Sequence, residues 1–203
     1  MTEKTLRTWC TDMWPMKHGL PLPAGWVGVS VENQAAADAR IPWLLQMPAV
    51  LRFVRYTALG PLNLHRVRDP ELSQYGEEIR FDALSHKPGV CYHAGVDWVI
   101  CGGESGPNAR PCALAWLRSV VQQCYTAGVP CFVTQLGARP IGSWGGEPSG
   151  HAQDYHRCLA CIAHDPFGMA HRLRDRKGAT LAEWPADLRV QCFPESTRRR
   201  VED

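Results

Sequence analysis

Residues 96–111 gather more reactive groups than any other stretch of this chain. An apolar run, Val96-Asp97-Trp98-Val99-Ile100-Cys101, breaks into Gly102-Gly103-Glu104-Ser105-Gly106-Pro107-Asn108-Ala109-Arg110. The turn offers one carboxylate, one hydroxyl, one amide and one guanidinium among glycines. Glycine amides can meet a phosphate or carboxylate, Glu104 can accept from an amine or a ribose hydroxyl, and Arg110 can pair an anion. Ser105 has no histidine at a diagnostic spacing, so the segment does not read as a hydrolase triad. The competing reading is structural, a tight connection from strand to helix.

A second constellation is His156-Arg157-Cys158-Leu159-Ala160-Cys161-Ile162-Ala163-His164. Two thiols and two imidazoles, Cys158, Cys161, His156 and His164, are the donor types of a tetrahedral zinc site. The spacing is not that of a standard finger, and at helical spacing Cys158 and Cys161 share one face and read as core. A thioredoxin-type redox role is not indicated, because no first strand precedes the pair.

These groups need elements to hold them. Trp26–Val31 reads as a strand of small and β-branched residues and ends in Glu32-Asn33-Gln34. Residues 35–47 read as a helix that Pro42 kinks or splits. Leu51–Tyr56 is a second strand, ending at Thr57; residues 62–95 show little periodicity, with Leu62–Val67 and Glu77–Leu84 reading as short elements and His86–Gly95 as a loop. The third strand is the one that enters the glycine turn. A helix over 112–127 carries Ala113, Leu114, Leu117, Val120, Val121 and Cys124 on one face, and Gly128 ends it. Residues 130–137 form a fourth strand ending in Gln135 and glycine. Strands alternating with helical crossovers predict an α/β chain with a parallel sheet, open or part of a (βα) barrel. If the strands point one way, Glu32, Asn33, Thr57, Glu104, Ser105, Asn108, Arg110 and Gln135 converge at their carboxyl ends, where α/β proteins bind ligands. The chain reads as a single domain: an arm over 1–25, a βα core over 26–137 and a loop and helix extension over 138–203.

Composition narrows the class. The chain has 203 residues and a formal net charge of +2, ordinary for a globular protein. No run reaches the length of a membrane span and the N-terminus lacks a signal-peptide core, so a cytoplasmic location is expected. Nine cysteines then read as reduced thiols, several of them inside apolar runs. Trp144 and Trp184 read as seals over a sheet edge or, if exposed, as contacts for a partner. Positive charge concentrates at Arg172, Arg174, Arg176, Lys177, Arg189 and Arg198–Arg200, which makes nucleic acid a possible partner beside the plainer reading of a solvated face.

Three segments, Trp26–Gln34, Asp97–Pro111 and Pro130–Gly137, together with Arg176-Lys177-Gly178 and Glu183–Val190, resemble a phage-associated family of uncharacterised proteins. Full-length members of that family carry an N-terminal cluster of three cysteines and look like radical S-adenosylmethionine proteins. The resemblance implies a partial (βα) barrel holding its last four units. It also implies that Gly102–Gly106 lies along the path of S-adenosylmethionine or a nucleotide, with Glu32, Asn33, Gly102, Gly103, Glu104, Ser105, Asn108, Arg110 and Gln135 as contacts. The chain departs from the family in having only Cys10 ahead of the first strand, since one thiolate does not hold an iron–sulfur cluster. It departs again at Thr57-Ala58 and at Thr134, where relatives carry charged residues. The expectation is therefore a shortened, non-catalytic, phage- or prophage-encoded relative working in the bacterial host cell. It would bind a macromolecular partner, plausibly in counter-defence, or pair with a second copy through a sheet edge. The alternatives are a nucleotide- or S-adenosylmethionine-binding subunit that needs a partner, and a zinc-stabilised interaction module.

Overall fold

A computed structural model describes residues 25–47, 49–71, 73, 76–86, 94–143 and 171–195. In chain order, β1 (Trp26–Val31) leads into α1 (Gln34–Gln46), and β2 (Leu51–Thr57) follows. Two short strands, β3 (Val67–Arg68) and β4 (Arg80–Phe81), pair antiparallel beyond a single 3-10 turn at Leu64–Arg66. Then come β5 (Trp98–Gly102), β6 (Cys112–Ala113), α2 (Leu114–Ala127), β7 (Cys131–Gln135) and β8 (Pro140–Ile141).

The main sheet is four-stranded and parallel throughout, in the order β1-β2-β5-β7. Strand order thus follows chain order, the arrangement of consecutive barrel units, with none of the reversal that marks a doubly wound sheet. Right-handed crossovers in one direction keep the connecting helices on one face of such a sheet. Alternation along the strands shows which face that is. Val29, Val54, Val99 and Cys131 align across the sheet, as do Val31, Tyr56, Cys101 and Val133. All are buried and join Ile41 and Leu44 of α1 and Leu117, Val120 and Cys124 of α2 in one core. The residues between them point the other way: Gly28 and Ser30, Phe53 and Arg55, Trp98 and Ile100, Phe132 and Thr134. This second face is only partly covered, with Ser30, Arg55 and Thr134 exposed.

The helix boundaries follow local chemistry. Asn33 caps α1, its side-chain oxygen accepting from the Ala36 amide at 3.0 Å. Pro42 does not split α1, one of the two outcomes the sequence suggests. It lies inside one continuous helix, buried beside Ile41, Trp43, Leu44 and Leu45, whose packing outweighs its missing hydrogen bond. The second helix begins two residues later than its apolar pattern suggests, because Cys112 and Ala113 are taken up by parallel pairing with Pro140 and Ile141. Gly128, at φ 70°, terminates it, its amide reaching the carbonyls of Cys124 and Tyr125.

Residues 171–195 close the far edge of the sheet. The Val133 amide donates to Val190 O and the Cys192 amide to Cys131 O, so the tail runs antiparallel beside β7. Trp184 and Leu188 enter the core, and the Trp184 indole donates to Gly178 O at 2.9 Å. Trp184 therefore seals this edge. Among the described residues no strand pairs with the outer edge of β1, and none of their helices is long and apolar enough to cross a membrane. Trp144 and the segment 144–170 lie outside the described residues.

Candidate functional site at the carboxyl ends of the strands

The parallel sheet brings the polar strand ends to one side, as the sequence requires, and the geometry shows what each one does there. Glu104 turns back on Arg110 of its own loop. One carboxylate oxygen accepts from the Arg110 amide at 2.9 Å and from Nε at 3.0 Å, and the other accepts from Nη2 at 2.5 Å. The Arg110 side chain and then its backbone amide hold the Glu104 carboxyl at about 2, and the same pairing raises the Arg110 guanidinium. Glu32 pairs with Arg40 at 3.1 Å and lies close enough to Arg110 to add to its field. Asn33 is the helix cap already described. Gln135 donates to Gly103 O at 2.9 Å. Ser105 and Asn108 are exposed on the loop.

The glycines are explained by backbone meeting backbone. A Cβ on Gly102 would stand 2.6 Å from Thr134 Oγ1 and 2.7 Å from Gln135 O; one on Gly103 would stand 2.3 Å from Leu136 O. Gly137, at φ 87°, faces Glu104 O at 2.7 Å in the same sense, and Gly178, at φ 64°, faces Gly137 O at 2.5 Å. Four glycines from three segments thus form one close junction. It is laced by Gly103 N to Gln135 O, Ala138 N to Glu104 O and Leu136 N to Gly178 O. The Gly103 amide is committed to the sheet rather than turned outward. Gly137 and Gly178 were not singled out by the sequence reading, and their signal was simply that each sits at a strand or turn end.

Below this junction the β5–β7 ladder slips by one residue between Cys101 and Gly102, leaving Thr134 as the extra residue. Its hydroxyl donates to Cys101 O at 3.2 Å. The slip opens a small hollow on the sparsely covered face, lined by Arg55, Thr57, Ile100, Gly102, Thr134 and Gln135 among others. Bulges commonly occur beside binding sites because they re-aim side chains. Arg55 was missed in the sequence, although the alternation Phe53, Arg55, Thr57 places it on the face opposite Val54 and Tyr56.

A family model described as a protein of unknown function (DUF5131) covers residues 2–188. The chain belongs to that family. No curated protein and no solved structure matches it significantly.

Within this DUF5131 protein, a buried group of thiols lies on the helix side of the site. Cys101 Sγ and Cys131 Sγ are 3.8 Å apart, and Cys124 of α2 packs on the same pair. Hydrogen bonding to Cys131 and burial push the Cys101 and Cys124 thiols up, while the two bonds Cys131 accepts favour its ionisation over theirs. Burial pushes Cys112 up to about 12. These sulfurs lie in the hydrophobic core and pack as small apolar side chains. Among the described residues no group of three or more histidine, cysteine, aspartate and glutamate side chains is arranged to hold a metal ion. His156, Cys158, Cys161 and His164 lie outside the described residues.

Proposed function

We propose that this protein acts by binding a macromolecular partner, as a non-catalytic portion of a (βα) barrel, rather than by running a reaction. The observation that carries the reading is the contrast between the two edges of the sheet. The β7 edge is covered by residues 190–192, whereas the β1 edge has no strand partner among the described residues, its Ser30 carbonyl accepting from the Arg40 side chain. An unpaired strand edge beside a sparsely covered face invites a further strand. Trp26, 42 % exposed at the start of β1, adds an apolar contact to that edge. The carboxyl-end side chains support binding over chemistry. Glu104, Asn33 and Gln135 each hold a piece of the fold, and among the described residues at this end no nucleophile is bonded to a base. Descent from a radical S-adenosylmethionine-like barrel, and encoding by a phage or prophage with a role in counter-defence, complete the proposal. They rest on the motif resemblance at 26–34 and 97–111.

The test is the mass in solution together with capture from a bacterial host lysate. The proposal expects either a dimer or a captured protein, and expects Ser30→Lys, a charge placed on the edge strand, to abolish it. A wild-type protein that stays monomeric and captures nothing overturns the proposal. So does an interaction that Ser30→Lys leaves intact.

A further inference from the structure

We infer that the hollow at the β5–β7 bulge binds the phosphate group of a nucleotide, free or within a single strand, with Arg55 as its anion contact. The inference is independent of what pairs with β1 and moves the ligand contact away from Glu104 and Arg110, which neutralise one another.

Arg55 stands mid-strand on the face away from the helices, between Ser30 of β1 and Ile100 of β5 in register. A guanidinium in the middle of a parallel strand is ordinarily paired, since such strands are mostly apolar. Here the hollow is lined by Thr57, Thr134, Gln135, Gly102 and Gly103 together with the apolar Ile100, and no carboxylate lines it. The nearest acids by position at this end are already occupied, Glu32 by Arg40 and Glu104 by Arg110. Thr57 adds a hydroxyl to the same lining, while the Thr134 hydroxyl and the Gln135 amide each donate to a backbone carbonyl, Cys101 O and Gly103 O, and so fix the rim of the hollow. A fork of N–H donors with hydroxyls around it is the donor set that phosphate oxygens require.

The surroundings extend the same preference. The loop bearing Arg172, Arg174, Arg176 and Lys177, all exposed, is fixed at this end of the sheet where Leu136 N donates to Gly178 O at 2.9 Å. Its one acid, Asp175, is turned onto the amides of Lys177 and Ala179 and held low by them. Arg139 adds a further exposed cation just past β7. Residues 172–177 thus set four cations, Arg172, Arg174, Arg176 and Lys177, against one carboxylate. Toward the other end of the same face lie aromatic rings. Trp98 contacts Trp26, Phe53, Phe132 and Phe193, and of these Trp26 and Phe193 are 42 % and 45 % exposed. Arg55 and Phe53 are two residues apart on one face, about 6.6 Å along the strand. A cationic contact with aromatic rings a base-length away is the combination that single-stranded nucleic acids and nucleotides use.

The experiment titrates purified protein with inorganic pyrophosphate, a mononucleoside triphosphate and an eight-residue oligothymidylate, following tryptophan fluorescence at two salt concentrations. Binding of the nucleotide and the oligonucleotide is expected, with pyrophosphate competing and affinity falling as salt rises. Arg55→Gln should weaken binding roughly ten- to hundredfold, the worth of a charged hydrogen-bonding contact. Because Arg55 is exposed, the variant should keep the wild-type melting temperature; Thr134→Val serves as a second, milder probe of the same hollow. No binding by the wild type overturns the inference. Equal binding by Arg55→Gln overturns it too, since affinity would then belong to the basic loop alone. A protein that binds nucleotide but no partner keeps this inference and removes the proposed function, and the reverse result does the opposite.

Discussion

The clearest quantitative consequence concerns Gly103. An alanine there places its Cβ 2.3 Å from Leu136 O, 2.8 Å from Leu136 C and 2.9 Å from Gly137 Cα. All three are backbone atoms, so no side chain can rotate away. The backbone they belong to is held by Leu136 N to Gly178 O at 2.9 Å and Ala138 N to Glu104 O at 2.7 Å. Relief therefore means breaking or stretching a junction shared by three segments. Overpacking costs about 1–3 kcal/mol where neighbours can adjust, and a backbone-locked site belongs at the top of that range, about 3 kcal/mol. For a chain of this size each kcal/mol lowers Tm by about 2–4 °C, giving a fall of about 6–12 °C for Gly103→Ala in a circular-dichroism melt. Gly106 supplies the control. It has φ 107° but nothing within 4 Å of a Cβ, so Gly106→Ala carries only the backbone cost, about 1–2 kcal/mol. A Gly103→Ala protein that melts within 2 °C of wild type would refute the packing argument. The glycine would then be there for a ligand's approach, and the loss should appear in binding instead.

Other consequences are more local. Tyr56 is buried and its hydroxyl donates to Gly60 O at 2.5 Å, so Tyr56→Phe strands that carbonyl and should cost about 1–2 kcal/mol in urea unfolding; an unchanged midpoint would show that another donor replaces it. The Glu104 carboxyl is held at about 2, below its unfolded value of about 4.3. With a folded value below the unfolded one, its contribution is complete above the unfolded value and fades as pH falls through the folded one. Carbon-detected NMR should show Glu104 flat from pH 7 to 3, and Arg110→Ala should bring its midpoint back toward 4; a wild-type midpoint near 4 contradicts the pairing. Finally, peptide mapping after alkylation under native conditions should find Cys192 modified and Cys101, Cys112, Cys124 and Cys131 protected, in line with their burial. Native labelling of Cys101 would mean that the sheet opens far more readily than its packing allows.

The main sheet was legible because its strands announce themselves locally. Trp26–Val31, Leu51–Tyr56 and the runs before Gly102 and Gly137 are apolar or alternating segments bounded by glycine, proline or polar residues, and each appears within a residue or two of its expected limits. Where the reading fell short, the decisive contact was distant in sequence. Cys112 and Ala113 look helical until Pro140 and Ile141 arrive to pair with them. Leu62–Val67 reads as no more than a short element, and the 3-10 turn and strand found there are held from a distance by Gln123, whose amide bonds Leu64 N and Leu62 O from α2. The site divides in the same way. That Glu104 and Arg110 are opposite charges six apart is visible in the sequence, but the sequence does not say whether they face a ligand or each other. The role of Gly102 and Gly103 depends on Gln135 and Leu136 in another strand, beyond any local pattern. Arg55, in contrast, was within reach, since alternation along one strand already puts it on the open face.

The antiparallel tail along β7 also fixes an order of events during synthesis. The fourth strand is complete at Gln135, yet the residues that satisfy its outer hydrogen-bonding edge begin at Val190, about 55 residues further on. At about 5–20 residues per second a ribosome needs roughly 3–11 s to cover that distance. For those seconds a nascent sheet with its helices already in place would present a bare edge at β7. Codon choice between 136 and 190, and the supply of holdase chaperones, should therefore govern the soluble yield of this protein more than its equilibrium stability does.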